Sequence, residues 1–345
     1  MATDGIVADR KKRENFDKER RTEWQPDRFL PGTPKLWPIS PVRIVKWLYF
    51  YVVPWNSIFM AFSVIFLLYL TPSMETMKTL NWNWIALIFA RNCALLTVFV
   101  SLLHFPLYVK KSQGFERKYN GRWLARNNPN FMFKNQLLDN LFWTFFSGVP
   151  IWTTYEVFTW WAFANEYIPH ISFAKHPVYC AALLIITPLF MNIHFYLIHR
   201  LIHLPLIYRW VHSVHHANVN VGPWSGLSMH PVEHILYWSG VLVYWIVPSN
   251  PVNAMYYLIQ NSFSPAQAHT GFESIIIKDG VELRMEDYHH YLHHRYFECN
   301  YGGGTLVNLD AWFGTLNDGS PASMDKMNRR VISRQQRVQR ESQVS

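Results

Sequence analysis

The chain has 345 residues, 50% of them hydrophobic and 17% aromatic, and only 16% are charged, against about 25% in an ordinary soluble domain. That shortfall, with 16 Trp and 24 Phe, argues against a large water-soluble core and for burial in lipid. The net charge of +9 is clustered rather than spread, and Cys93, Cys180 and Cys299, far apart and without a CxxC, exclude a disulfide framework or a thiolate zinc site.

The first segment, 1–42, is basic and carries "DRKKRENFDKERR". It is too long and too acidic for the start of a secretory signal. Two further basic runs follow, "YVKKSQGFERKYNGRWLAR" and "DKMNRRVISRQQRVQR". A nucleic-acid surface is one reading of such runs. The first two lie beside long apolar segments, however, and this is the bias of cytoplasmic loops in membrane proteins. No nucleic-acid partner is expected.

Segment 43–180 reads as transmembrane helices. A helix needs about 20 mainly apolar residues to cross a bilayer. Four stretches qualify: 46–71, 84–108, 139–163 and 176–198. Basic residues in the N-terminal segment and in the 109–136 loop place both on the cytoplasmic side. The 72–83 and 164–175 connections then lie outside. Four crossings return the chain to the cytoplasm at His199. A further apolar stretch, 235–263, is interrupted by "VPSNP" and reads as a hairpin dipping into one leaflet or as two helices lining a pocket. The expected fold is all-α: a multi-pass helical bundle with a cytoplasmic histidine-rich cap over 181–318. A polar, basic and mobile tail occupies 319–345.

Most of the 16 histidines fall between 194 and 294, in spaced groups. "HRLIH" gives His199 and His203. "HSVHH" gives His212, His215 and His216. "HHYLHH" gives His289, His290, His293 and His294. Offsets of three and four on a helix bring rings about 5–6 Å apart at Cβ, within reach of one metal ion. Apolar packing does not need that pattern. A lone His on an apolar face is most often a satisfied core or surface residue, and His104, His170, His176 and His194 are read so. Eight or more clustered imidazoles suit two metals in one cavity. Imidazole by itself does not choose among Zn, Cu, Fe and Ni. No Ser/His/Asp set supplies a nucleophile, and lipids offer mostly unactivated C–H bonds, which call for a redox metal and O₂.

"SMHPVEHILYW" adds His230 and His234. HPVEH matches the inverted zinc-protease motif H-x-x-E-H, with Glu233 as general base. A membrane zinc metallopeptidase is therefore a competing reading, although it leaves the larger clusters unused. A metal-binding transporter is a third, disfavoured because the clusters follow the last clear span.

The series HxxxH, HxxHH and a distant HxxHH resembles the fatty acid hydroxylase/sterol desaturase superfamily of membrane-bound non-haem di-iron oxygenases. "HANVNVGPWSGLSMHPVEH", "QAHTGFES", "HHYLHHRYFECNYG" and "LDAWFGT" carry the likeness further, over about residues 185–318. The resemblance implies two iron ions held by His199, His203, His212, His215, His216, His269, His290, His293 and His294, with His289 able to replace or assist His290. It implies O₂-dependent hydroxylation, desaturation or epoxidation of a lipid, with a sterol favoured over a fatty acyl, sphingolipid or isoprenoid substrate. Electrons would come from NAD(P)H through an external carrier such as cytochrome b5 or a ferredoxin. "NYGGGT" has neither the spacing nor the setting of a nucleotide fingerprint. Glu233, Glu273, Glu286, Asp287 and Asp310 are candidates to orient the rings. The expected location is the endoplasmic reticulum membrane in a eukaryote or the inner membrane in a bacterium, with the active site facing the cytoplasm.

Overall fold

The computed structural model describes residues 24–26, 40–285, 287–303 and 308–344, and of 334, 335 and 337–344 only the backbone. The basic run at 9–21 and Glu286 lie outside the described residues.

Helices begin where the sequence supplies caps. Pro41–Val52 (α1) has Pro at its first position, the place where the missing N–H costs nothing. Trp55–Tyr69 (α2) follows at an angle of 51°. Trp82–His104 (α3) is capped by the Asn81 side chain, which accepts from Asn83 N, and continues as a π-turn through Val109. Gln136–Trp143 (α4) is capped by Asn135 and joined by a π-turn, Thr144–Gly148, to Val149–Ala164 (α5). Pro177–Ile202 (α6) is a long apolar helix that starts on Pro, as do Pro231–Trp238 (α7) and Pro251–Ala268 (α8).

The chain is mostly helical but not all-α. Ser274–Lys278 (β1) and Val281–Arg284 (β2) pair antiparallel, with Ile275 opposite Leu283. The cause is local: Asp279-Gly280 sits between the two strands, and Gly280 takes φ +75° as a tight hairpin turn requires. Tyr288–Tyr296 (α9) carries the last histidine cluster, and the 319–345 tail, expected to be mobile, is helical over Pro321–Val344 (α10). Arg330 of α10 donates to the carbonyls of Gly314 and Glu298, which ties the helix back to the body.

Among the described residues, two helices are long and apolar enough to cross a membrane, Trp82–Val109 and Pro177–Ile202, and the bent α1–α2 pair makes a third if it is one span. The expected crossing at 139–163 is helical but divided into Gln136–Trp143, the π-turn and Val149–Ala164, none of them long enough alone to be counted with these. Its polar side chains Asn140, Thr144, Thr153, Glu156 and Thr159 are all buried against neighbouring helices. Arg91 of α3 meets Glu156 of α5 at 2.5 Å; Asn92 Nδ2 and Trp160 Nε1 donate to the same carboxylate, so this interior charge is satisfied.

α8 lies at the centre: Val252 to Phe263 are buried without a break. The turn before it reaches the 164–175 connection, where Ser249 N donates to Pro169 O and Ile171 N to Ser249 O. The "PWSGL" turn packs on the other end of α8, and Gly226 leaves room for the Pro265 carbonyl. That segment is buried and packs on the core.

Candidate metal centre

Nine histidines converge in two groups, His199, His203, His212, His216 and His293 in one, and His215, His269, His290 and His294 in the other. Within each group the facing nitrogens all lie within 4.8 Å of one another. The groups adjoin, with the rings of His216 and His294 centred 4.8 Å apart.

The elements explain the convergence. α6 ends at Ile202, so His199 sits in its last turn and His203 is its C-cap. The chain turns at Pro205–Ile207, winds one π-turn over Tyr208–His212, and presents His215 and His216 from Ser213–His216. α9 brings His290, His293 and His294, and His269 caps α8.

Each HxxHH cluster is divided between the groups, which corrects the expectation of one face serving one metal. Residues at i and i+4, such as His212 with His216 and His290 with His294, share a group. The i+3 residue, His215 or His293, joins the other. At about 100° per residue, i+4 returns to within about 40° of i, whereas i+3 falls about 60° to the other side.

The ring nitrogens facing outward fix the tautomers. Nδ1 of His199 lies 2.6 Å from Tyr301 O, that of His293 2.6 Å from Cys299 O, that of His269 2.7 Å from Pro265 O and that of His215 3.2 Å from Ser228 O. A carbonyl only accepts, so each Nδ1 carries the proton and each Nε2 turns a lone pair inward. Inward nitrogens then stand 3.0–3.2 Å apart, as in His199–His212, His203–His293 and His269–His294. Two rings that both carry the proton on Nδ1, as His199 and His293 do within one group, turn lone pair against lone pair and repel each other. A cation between them removes the conflict, so the donor set fits metal ions.

Electrostatics agree. Burial holds the His215 imidazole down at about 4 and that of His293 at about 3, and burial together with neighbouring imidazoles holds His212, His216, His290 and His294 well below the usual imidazole range. The rings are neutral at physiological pH, the state a metal requires.

Of the candidate orienting carboxylates, Glu233 lies 2.8 Å from His212 Nδ1. Asp287 is pushed upward by burial and accepts from Thr270 Oγ1 and Gly271 N, fixing the turn after His269. Glu273 accepts from the Tyr119 hydroxyl, away from the rings. His289 joins neither group; its Nε2 stands 3.5 Å from Asp310 Oδ2. The HPVEH pair does not converge. His230 Nδ1 accepts from Val232 N as a helix cap, while His234 Nδ1 lies 2.7 Å from Ser147 Oγ. Glu233 serves His212 instead, which removes the geometric basis of the peptidase reading. The backbone carbonyls of Ser228, Pro265, Cys299 and Tyr301 went unnoticed in the sequence, where a carbonyl has no signature.

Residues 183–315 match the family described as fatty acid hydroxylase. Among individual proteins, the Delta(7)-sterol 5(6)-desaturase ERG3B of Gibberella zeae is 33% identical over 134 residues, 34% of this chain and 36% of that protein. The Delta(7)-sterol 5(6)-desaturase erg3C of Aspergillus fumigatus is 31% identical over 156 residues, 39% of this chain and 48% of its own length. That of Saccharomyces cerevisiae is 32% identical over 117 residues, 32% of this chain and 30% of its own length. The chain thus spans about a third to a half of the curated relatives it matches. No solved structure matches it.

Proposed function

We propose that the protein is a membrane-bound, iron-dependent lipid oxidoreductase of the sterol desaturase type, with both histidine groups occupied. The observation that carries this reading is the convergence of nine histidine nitrogens into two adjoining groups. The relatives' names support a sterol as substrate. A pair of iron ions held by the nine histidines would supply the O₂ chemistry needed to break an unactivated C–H bond. The protein's own residues do the rest. Backbone carbonyls hold the proton on Nδ1 of His199, His215, His269 and His293, and Glu233, its carboxyl pushed upward by burial, stands behind His212. On one side Tyr208, Phe297 and Tyr301 pack on the five-histidine group, their ring centres 4.8–5.5 Å from His203 or His216, and exclude water. On the other, Phe195 lies between His199 and Tyr237 and gives the group an apolar flank for a lipid chain.

We further propose a multi-pass protein of the endoplasmic reticulum membrane with its centre on the cytoplasmic side. Trp24 N donates to Lys118 O, which brings the N-terminal segment and the basic 109–136 loop to one end, as positive-inside topology requires. NAD(P)H would deliver electrons through a carrier such as cytochrome b5 or a ferredoxin.

The test is expression in Saccharomyces cerevisiae lacking its own Delta(7)-sterol 5(6)-desaturase, under ¹⁸O₂. Desaturation restores the 5(6) double bond and sends both oxygen atoms to water. A hydroxylated lipid carrying one ¹⁸O would overturn the desaturase reading in favour of a hydroxylase. An unchanged lipid profile, with every histidine in place, would overturn the lipid reading.

A further inference from the structure

We propose that Asp310 is a positioning residue for the five-histidine group alone, acting through a peptide unit, and that His289 is its partner rather than a metal ligand. This rests on reading both groups as metal sites.

Asp310 sits in the short helical turn Leu309–Trp312 and is buried. Its Oδ1 accepts from Tyr301 N at 2.9 Å and from the Thr315 hydroxyl at 2.6 Å. Its Oδ2 accepts from Gly302 N at 2.8 Å. The Gly302 N–H and the Tyr301 carbonyl belong to one peptide unit. That carbonyl is the acceptor for His199 Nδ1 at 2.6 Å. One rigid peptide is therefore gripped at both ends, by a carboxylate on its N–H and by an imidazole on its carbonyl. A charge on the donor side polarises the peptide and strengthens the carbonyl as an acceptor.

The same loop serves a second ligand, because Cys299 O accepts from His293 Nδ1. Asn300 pins the stretch between these two carbonyls: its Nδ2 donates to His289 O and Asn317 O, and its N to Thr315 O. Gly302 is glycine for a physical reason. A Cβ there would stand 3.1 Å from Asp310 Oδ2 and crowd the carboxylate. The remaining contact of Asp310 Oδ2 is His289, with its ring between α9 and the 310–317 segment. Among the described residues, the four-histidine group's outward nitrogens at His215 and His269 lean instead on Ser228 O and Pro265 O. The brace is thus selective.

The test is a cobalt(II) titration of the full-length protein in detergent after chelator stripping, read by absorption, with thermal unfolding of each variant. The wild type binds two ions, and His294→Ala identifies the four-histidine step by removing it. Asp310→Asn weakens the five-histidine step by about 10–100-fold, the usual cost of losing an outer partner, and leaves the other step in place. Thr315→Val and Gly302→Ala, which disturb one contact each, shift the same step by less, and they carry the test if Asp310→Asn fails to fold. His289→Gln keeps two bound ions. Equal weakening of both steps, or two unaltered steps in the variants that fold, would overturn the inference while leaving the metal reading intact. Loss of an ion in His289→Gln would overturn the assignment of His289. A wild type that binds no cobalt would instead remove the metal reading itself.

Discussion

The two histidine groups are built from the same three clusters yet supported differently. The five-histidine group has three outward nitrogens held, that of His212 by the Glu233 carboxyl and those of His293 and His199 by carbonyls of a single loop at Cys299 and Tyr301. It is also walled by aromatic rings. The four-histidine group leans on two isolated carbonyls, one before α7 and one inside α8. Equal ligand chemistry therefore does not make equal sites. The first is braced by electrostatics and a loop, the second by the helical core.

Acidification challenges both groups at once and has the largest expected effect. Folded pKa values of about 4 for His215 and about 3 for His293 lie below the unfolded value of about 6.5, so the unfolded chain binds more protons. The metal-free protein should be stable above about pH 6.5 and lose stability progressively as pH falls toward 4, followed by thermal unfolding across that range. A flat profile would mean that the rings are not buried neutral.

Removing a ligand comes next. His216→Ala should lower turnover by more than about 100-fold and reduce bound iron, since even outer partners cost about 10–100-fold. Iron per chain by mass spectrometry distinguishes loss of one ion from loss of both. If the groups are independent, the four-histidine ion remains.

Arg91 and Glu156 test the scaffold rather than the centre. With Glu156 fully buried, Arg91→Ala leaves a charge without its partner and should cost about 3–5 kcal/mol of stability. The double replacement Arg91→Met with Glu156→Leu should recover most of it. Urea or thermal unfolding in detergent reads both, and iron content per folded chain should not change.

The smallest effects compare the two kinds of support. Glu233→Gln should weaken only the five-histidine group, by about 10-fold or more. Ser228→Ala should leave the four-histidine group unchanged, because His215 uses the backbone carbonyl and not the hydroxyl. Metal titration of both variants would reverse the picture if Ser228→Ala proved the more damaging.

Much of the centre was legible because imidazoles are few and their spacing follows the helix. His199, His203, His212, His215, His216, His290, His293 and His294 announce themselves by offsets of three and four. Even the division between groups was recoverable, since about 100° per residue separates i+3 from i+4. His269 is different: nothing local marks it, and it came only from the resemblance of "QAHTGFES". His289 shows the converse. Its spacing to His293 matches that of a ligand, yet its ring turns to Asp310. The hairpin at 274–284 was also readable, from Asp279-Gly280 between branched residues, but the helical pattern on both sides obscured it.

Helix periodicity and composition by themselves determined a largely helical, apolar chain with histidines spaced to share a face. Those are local or summed properties, written residue by residue. Tertiary structure alone decided which nitrogen of each ring faces inward, which carbonyl holds the other, and that Glu233 stands behind His212 while His234 does not share its site. Such choices depend on backbone groups far apart in the chain. A carbonyl oxygen is the same in every residue, so only the fold can say where it points.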